Sequence, residues 1–207
     1  MEKSREEFLK KLIETPSPSG FEEQIQKIFE ERVQGKVDKF YKDYHGNAIG
    51  VIYPDASFRV MLAGHCDEVG LMVEFINDQG YIHFSTIGGI DSHVTPGKRV
   101  IIHSSQGPVK GVIGKKPIHL MEEKERQKVI KFEEQWIDVG AKNKEELTKI
   151  VQIGDPITMD VGFDQLLGSR VVGRGFDDRV GAFIVAEVLR MVQKEKLQCC
   201  LLYTSDA

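Results

Sequence analysis

The chain has 207 residues, and its 28 Lys and Arg against 32 Asp and Glu give a formal net charge of −4. Hydrophobic residues make up 41% and charged residues 29%, which excludes a wholly disordered chain and fits one large or two small domains. The mildly acidic balance argues against nucleic acid or a membrane as partner, and no apolar run approaches the roughly 18 residues that a membrane span needs.

Two amphipathic helices are predicted at the start of the chain. Ser4 and Glu7 have the spacing of a capping box, which predicts a helix start at Ser4. Prolines within 15–20 end this helix before the second one begins. The first helix repeats apolar residues on one face, at Phe8, Leu9, Leu12 and Ile13. The second carries an equivalent stripe, at Phe21, Ile25, Ile28, Phe29 and Val33.

Strands and one further helix then continue an α/β pattern. Residues 48–53 form a short apolar run, and 58–64 form a near-continuous one, which is typical of a strand covered on both faces. Asp177 opens a predicted helix, and residues 197–203 predict one more buried strand. The helix has apolar residues at helical spacing, namely Val180, Ile184, Val188 and Met191.

The middle of the chain has a different character. Two charged helical stretches, 121–134 and 144–150, interrupt a series of short strand-like runs that are separated by Gly and Pro. These runs lie at 71–75, 81–84, 99–103, 109–113, 136–139 and 151–158. Many short strands with such punctuation favour a small barrel or sandwich. We therefore predict an α/β domain formed by residues 1–70 and 160–207, with a β-domain inserted at 71–159.

The cysteines and the N-terminal residues indicate the cellular compartment in which the protein is found. Cys66, Cys199 and Cys200 have no CxxC spacing, and adjacent residues on a strand project to opposite faces, so no disulfide is expected. The charged N-terminus lacks the apolar core of a signal peptide. A reducing, cytoplasmic location follows as a prediction.

The first candidate site directly follows the run at 58–64. His65 and Asp67 are two residues apart, so they face the same side of an extended chain at a strand end, where ligands of α/β sheets usually bind. An imidazole can ligate a divalent metal while a carboxylate holds its other N–H and fixes the tautomer. The alternative is that both side chains make ordinary hydrogen bonds.

The second candidate site is the segment 173–179, in which two glycines lead into Asp177 and Asp178 at a helix start. Asp is a preferred N-cap and complements the helix dipole, so capping is the simpler explanation. Adjacent carboxylates nevertheless repel each other unless cations balance them. In the second explanation, Arg179 balances one of them and a metal at Asp177 balances the other.

Together the two motifs, GHCDEVG and GFDDRVG, flank the β-rich segment in this order. With FLKKLIETPSPSGFE and VQIGDPITMD, they resemble metallopeptidase family 42, the glutamyl/leucyl-type aminopeptidases that build tetrahedral dodecamers. The resemblance runs from near residue 8 to near residue 190. It implies a zinc-exopeptidase-like, three-layer αβα catalytic domain, incomplete here, with an inserted β-barrel used for assembly.

The resemblance also implies roles for individual residues. His65 matches the histidine ligand of one metal, and Asp177 matches the carboxylate that bridges two metals. Asp67 matches the acidic residue that orients the histidine, and it is the predicted catalytic residue. Two divalent metal ions per subunit, zinc or cobalt, are thereby implied, with peptides as substrates and a homo-oligomer, dimer-based and up to a dodecamer, as the assembled form.

The family's remaining site residues have no counterpart in this sequence. A Glu-Glu pair, the first the base and the second a ligand, is expected where the chain has residues 200–207, of which 203–207 do not resemble the family. A further Asp and a late His ligand are also missing. We therefore expect an N-terminal piece of a longer enzyme that is inactive alone. Two alternatives stay open: a metal-dependent deacylase or carboxypeptidase of the related clan, and a non-catalytic assembly fragment. The sequence Glu68-Val69-Gly70 favours the aminopeptidase.

Overall fold

Residues 2–192 and 197–205 are described by a computed structural model. The helices are α1 (Lys3–Glu14), α2 (Glu23–Val33), α3 (Glu123–Arg126), α4 (Lys144–Leu147) and α5 (Phe176–Val192). The strands are β1 (Lys39–Lys42), β2 (Ala48–Ile52), β3 (Arg59–Ala63), β4 (Gly70–Ile76), β5 (Ile82–Ile87), β6 (Arg99–Ser104), β7 (Gly107–Lys115), β8 (Gln135–Asp138), β9 (Pro156–Met159), β10 (Asp164–Gln165), β11 (Val171–Val172) and β12 (Cys200–Ser205). Within the described ranges, no helix has both the length and the apolarity that crossing a membrane requires.

The chain divides into two units, Met1–Glu68 with Val161–Ala207 and Val69–Asp160. The first unit contains a sheet in the order β1-β2-β12-β3. Strand β12 runs parallel to β3 and antiparallel to β2, which itself pairs antiparallel with β1. Helices α1, α2 and α5 share a buried core with this sheet, and within it the rings of Phe29 and Tyr203 stack with their centroids 4.3 Å apart.

Helix α1 buries the predicted face, but it begins at a different residue from the one predicted. Phe8, Leu9, Leu12 and Ile13 are all buried. The capping box at Ser4 is wrong, because the helix begins at Lys3 and Ser4 lies within its first turn. Glu2 is the N-cap residue, and its carbonyl accepts the backbone N–H of Arg5 and of Glu6.

Two other expectations for this unit are wrong in detail. In α5 the buried face is formed by Ala182, Val185, Ala186 and Leu189, whereas Ile184 and Met191 of the predicted stripe are exposed. Strand β3 is not covered on both faces, since Val60 and Leu62 pack on the core while Met61 between them is exposed.

The second unit is a closed barrel in the order β4-β5-β8-β7-β6-β9, with antiparallel pairing throughout. Alternate side chains fill its interior, including Leu71, Val73, Ile82, Val100, Ile102, Ile113, Ile137 and Ile157. The predicted fold class, α/β with an inserted β-barrel, is confirmed. The long charged helix expected at 121–134 is wrong, because this segment buries almost no side chain and forms only α3 and a 3₁₀ turn at Phe132–Glu134.

Candidate active site

The segment that carries His65 leaves β3 beside the start of α5. Gly64 donates its N–H to the carbonyl of Thr204 at 3.2 Å, so β12 ends next to it. A Cβ at Gly64 would stand 2.7 Å from the backbone nitrogen of Ala182. Only glycine allows this strand end and this helix start to come so close, and the contact determines which side chains can meet.

His65, Asp67 and Asp177 lie together in the structure. The Nδ1 atom of His65 is 2.8 Å from Asp67 Oδ1, and Asp67 also accepts the hydroxyl of Ser19. The Nε2 atom of His65 lies on the other side of the ring, 3.5 Å from Asp177 Oδ1. With the Nδ1 proton donated to Asp67, the Nε2 lone pair is directed towards Asp177. Their roles as metal ligands stay a prediction.

The donor set fits a divalent cation in chemistry and in spacing. Imidazole nitrogen and carboxylate oxygen are both zinc ligands, and two ligands at about 2.0–2.2 Å in a tetrahedral arrangement stand about 3.4 Å apart. The 3.5 Å between His65 Nε2 and Asp177 Oδ1 agrees with that separation. Among the described residues, no group of three or more His, Cys, Asp or Glu side chains is arranged to hold a metal. The described part of the chain therefore offers two of the three protein ligands that a catalytic zinc usually takes.

The two adjacent carboxylates of the second motif have different surroundings. The backbone at Asp177 and Asp178 is not helical, and Asp178 Oδ1 accepts the N–H of Gly181 at 2.9 Å, three residues later. This is the geometry of an N-cap. The Asp177 side chain is fully exposed. Capping thus belongs to Asp178, which leaves Asp177 available for another task.

The expectation that Arg179 balances one of these carboxylates is wrong. Its guanidinium is completely buried and lies 2.8 Å from Glu68 Oε1. Arg174 approaches the same carboxylate, with its Nε atom 3.1 Å away. Burial lowers the pKa of Arg179, and the Glu68 carboxylate opposes that effect. Sequence reasoning missed this network, because the partners of Arg179 are distant from it in the sequence.

Comparisons with known proteins agree with this architecture. The model of the M42 glutamyl aminopeptidase family matches residues 46–206. The match includes residues 203–206, for which no resemblance to the family was expected. A lysyl aminopeptidase of Pyrococcus furiosus is 30% identical over 189 residues, which are 90% of this chain and 54% of that protein.

Solved structures give the same picture. A TET aminopeptidase from a marine sediment archaeon of the Thaumarchaeota superposes with a TM-score of 0.93 at 33% identity, covering 98% of this chain and 58% of that one. The TET1 peptidase of Pyrococcus horikoshii, described as assembling into a tetrahedron or a large octahedral shell, gives 0.87 at 30% identity, covering 97% and 60%. The chain thus spans little more than half the length of each of these three proteins.

Proposed function

The chain belongs to the M42 glutamyl aminopeptidase family, and from that premise we propose that it carries part of the active site of a metal-dependent aminopeptidase. The substrates are peptides, from which the N-terminal residue is removed by hydrolysis. The observation that carries the proposal is the pair of contacts made by the His65 ring, with Asp67 at one nitrogen and Asp177 at the other.

Each of these residues has a defined task in the proposal. His65 and Asp177 would hold the divalent metal, zinc or cobalt. Asp67 keeps the proton on Nδ1 of His65, and so presents the Nε2 lone pair as the ligand atom. When bound, such metals lower the pKa of a water molecule and polarise a carbonyl group, which is the chemistry that peptide hydrolysis needs.

The described residues supply fewer metal ligands than catalysis needs. Two ligands are fewer than the three of a usual catalytic zinc site, so we expect residues 1–207 to bind metal weakly and to show no turnover. Strand β12 ends beside Gly64, next to the candidate site, and the chain is expected to be part of a longer protein. The peptidase activity is proposed for that longer protein.

A cobalt titration tests the metal site. Co²⁺ is added to the metal-free chain, and its visible absorption is followed in the wild type, in His65→Ala and in His93→Ala. His93 is the matched control, because its ring also bonds an aspartate two residues away, Asp91, at 3.0 Å. We expect His65→Ala to abolish the absorption bands and His93→Ala to retain them. Equal spectra for the wild type and His65→Ala would overturn the proposed site.

An activity assay on the longer coding sequence tests the reaction. Aminoacyl anilides, N-acyl amino acids and N-acylated peptides with free C-termini are offered in parallel, each with and without a chelator. We expect hydrolysis of the anilides alone, lost with the chelator and with His65→Ala. Turnover of only the N-acyl or C-terminal substrates would indicate the deacylase or carboxypeptidase instead, and no turnover of any substrate would indicate a non-catalytic assembly protein.

We extend the proposal to assembly and location. The inserted barrel mediates self-association, supported by exposed apolar side chains outside its strands at Ile118 and Leu120. The assembled form is a homo-oligomer, dimer-based and up to a dodecamer. The cysteine usage, three residues without CxxC spacing, supports a reducing, cytoplasmic location.

A further inference from the structure

We propose that the buried ion pair of Glu68 and Arg179 is a positioning device that sets the separation of His65 from Asp177. The inference deepens the proposed function and rests on it. Both residues are close in sequence to the candidate site. Glu68 directly follows Asp67, the carboxylate that orients His65, and Arg179 lies two residues after the candidate ligand Asp177.

The guanidinium of Arg179 joins three segments of the chain. Its Nη1 atom donates to the carbonyl of Ile13 at 2.9 Å, and its Nη2 atom donates to Ser17 Oγ at 2.6 Å and to Glu68 Oε1 at 2.8 Å. Its Nε atom donates to the carbonyl of Cys66 at 3.3 Å. One planar group thus holds the end of α1 with the loop that follows it, the loop after β3 and the start of α5 in a single arrangement.

The contact with Cys66 connects this network to the ligand. The Cys66 carbonyl lies in the backbone between His65 and Asp67, and it accepts a second hydrogen bond, from Ser17 Oγ at 2.7 Å. The position of the Cys66 peptide group therefore determines the positions of the Cα atoms of His65 and Asp67, from which the two side chains extend. A shift of the guanidinium would therefore move His65 and Asp177 relative to each other, because Arg179 belongs to the helix start that carries Asp177.

Glu68 is also held by residues other than Arg179. Its carboxylate accepts from Arg174, whose remaining nitrogens donate to the carbonyls of Val161 at 2.8 Å and of Glu14 at 2.7 Å. The backbone N–H of Glu68 donates to the carbonyl of Ser17 at 2.9 Å, and the backbone N–H of Ser17 donates to Glu68 Oε1 at 3.1 Å. Buried ion pairs often add little stability compared with well-packed apolar side chains. A network of two arginines and one glutamate beside the candidate ligands is better explained by the geometry that it fixes.

The same unit offers a matched ion pair away from the site. Glu187 is buried among helices α1, α2 and α5, and Arg32 lies 2.6 Å from its Oε1 atom. Neither residue touches His65, Asp67 or Asp177 among the contacts of the described residues. Arg32→Lys therefore removes a guanidinium from a buried carboxylate without touching the candidate site.

The experiment compares Arg179→Lys with Arg32→Lys in the chain of residues 1–207. Three quantities are measured in each: the thermal midpoint without metal, the dissociation constant for Co²⁺, and the tautomer of the His65 ring by nitrogen NMR in the metal-free state. We expect Arg179→Lys to weaken Co²⁺ binding by about 10- to 100-fold and to lower the Nδ1–H fraction of His65. Arg32→Lys should lower the thermal midpoint and leave the other two quantities at wild-type values.

The outcomes separate this inference from the proposed function. If Arg179→Lys lowers only the thermal midpoint, the pair is purely structural and the inference is overturned. If the wild type shows no Co²⁺ binding that depends on His65, the proposed function fails, and the tautomer measurement alone decides whether the pair positions the ring. Should Arg179→Lys not fold, Ser17→Ala removes one acceptor of Arg179 and one donor to Cys66, and the same changes in Co²⁺ affinity and tautomer are then expected in that variant.

Discussion

Gly64 and Ala182 meet so closely that a methyl group at residue 64 would stand 2.7 Å from the Ala182 backbone nitrogen. The carbonyl carbon of Gly181 is equally near. Backbone atoms cannot move aside as a flexible side chain can, so the close approach requires glycine at residue 64. Because His65 follows directly, the same contact fixes the distance from the end of β3 to the candidate ligand at the start of α5.

We predict that Gly64→Ala destabilises the fold and weakens the candidate site together. An added methyl group in a tight contact costs about 1–3 kcal/mol of unfolding free energy, and the displaced helix start carries Asp177 with it. Urea denaturation followed by circular dichroism measures the first effect, and the Co²⁺ titration measures the second.

Gly89→Ala is the control for this substitution. Nothing lies within 4 Å of a Cβ built at Gly89, and its backbone is not in the left-handed region. It should change neither the unfolding free energy nor Co²⁺ binding appreciably. A Gly64→Ala protein with the stability and affinity of the wild type would contradict the packing argument.

We predict opposite effects for substitutions at the two adjacent aspartates. Asp178→Ala removes the N-cap that accepts from Gly181, which should cost about 0.5–2 kcal/mol of unfolding free energy. Asp177→Ala alters an exposed side chain, so the unfolding free energy should stay within about 0.5 kcal/mol of wild type. Co²⁺ binding should be lost in Asp177→Ala, whereas Asp178→Ala leaves both candidate ligands in place.

Each aspartate variant serves as the control for the other, since both remove one carboxylate from the same segment. Chemical denaturation and Co²⁺ titration are carried out on both proteins. If Asp177→Ala destabilised the fold as much as Asp178→Ala, the division of roles between capping and ligation would be wrong.

We predict a depressed pKa for Asp43 in the turn before β2. The side-chain amide of Asn47 donates to its carboxylate at 2.9 Å, and the backbone N–H groups of Asn47 and His45 donate to it as well. These bonds, the Asn47 side chain first among them, lower the pKa of Asp43 from its ordinary value. The turn is therefore stabilised above the pKa of the unfolded chain, and the stabilisation is lost as the pH falls through the lower, folded-state pKa.

A carboxyl-carbon NMR titration checks this prediction. We expect Asn47→Ala to move the Asp43 midpoint back towards that of an unfolded chain. Asn77→Ala is the control, because its side chain accepts backbone N–H groups in a barrel turn and leaves Asp43 untouched. An Asp43 midpoint that is the same in the wild type and in Asn47→Ala would show that the hydrogen bond does not determine the pKa.

The spacing of apolar residues predicted the helices and strands well where only one face of the element is apolar. The spacing of Phe8 and Leu12 located the buried face of α1, and the short punctuated runs predicted the strands of the barrel. The same reasoning placed Ile184 on the apolar stripe of α5, but Ile184 is exposed and Ala182 is buried. Close packing of that helix instead favours the small residue inside, which depends on neighbours that a local pattern does not contain.

The candidate site could be predicted only in part for a similar reason. The spacing of His65 and Asp67 is local, and so is the run of acidic residues at Asp177, so both motifs were visible in the sequence. The partners of Arg179 come from residues 13–17 and 66–68, which are distant in sequence and meet only in the folded unit. No periodicity connects such segments, and the burial of the guanidinium therefore emerged only from the structure.

We predict that apolar residues of the barrel unit mediate self-association of the longer protein. Ile118 and Leu120 are 65% and 62% exposed on a 3₁₀ turn after β7, where water contact with such side chains is unfavourable. The double variant Ile118→Ser, Leu120→Ser should reduce the molar mass measured by light scattering while leaving the circular dichroism spectrum unchanged. Leu167→Ser is the control, since Leu167 is 95% exposed but lies outside the barrel unit. A wild-type mass retained in the double variant, or lost in Leu167→Ser, would show that another surface holds the subunits together.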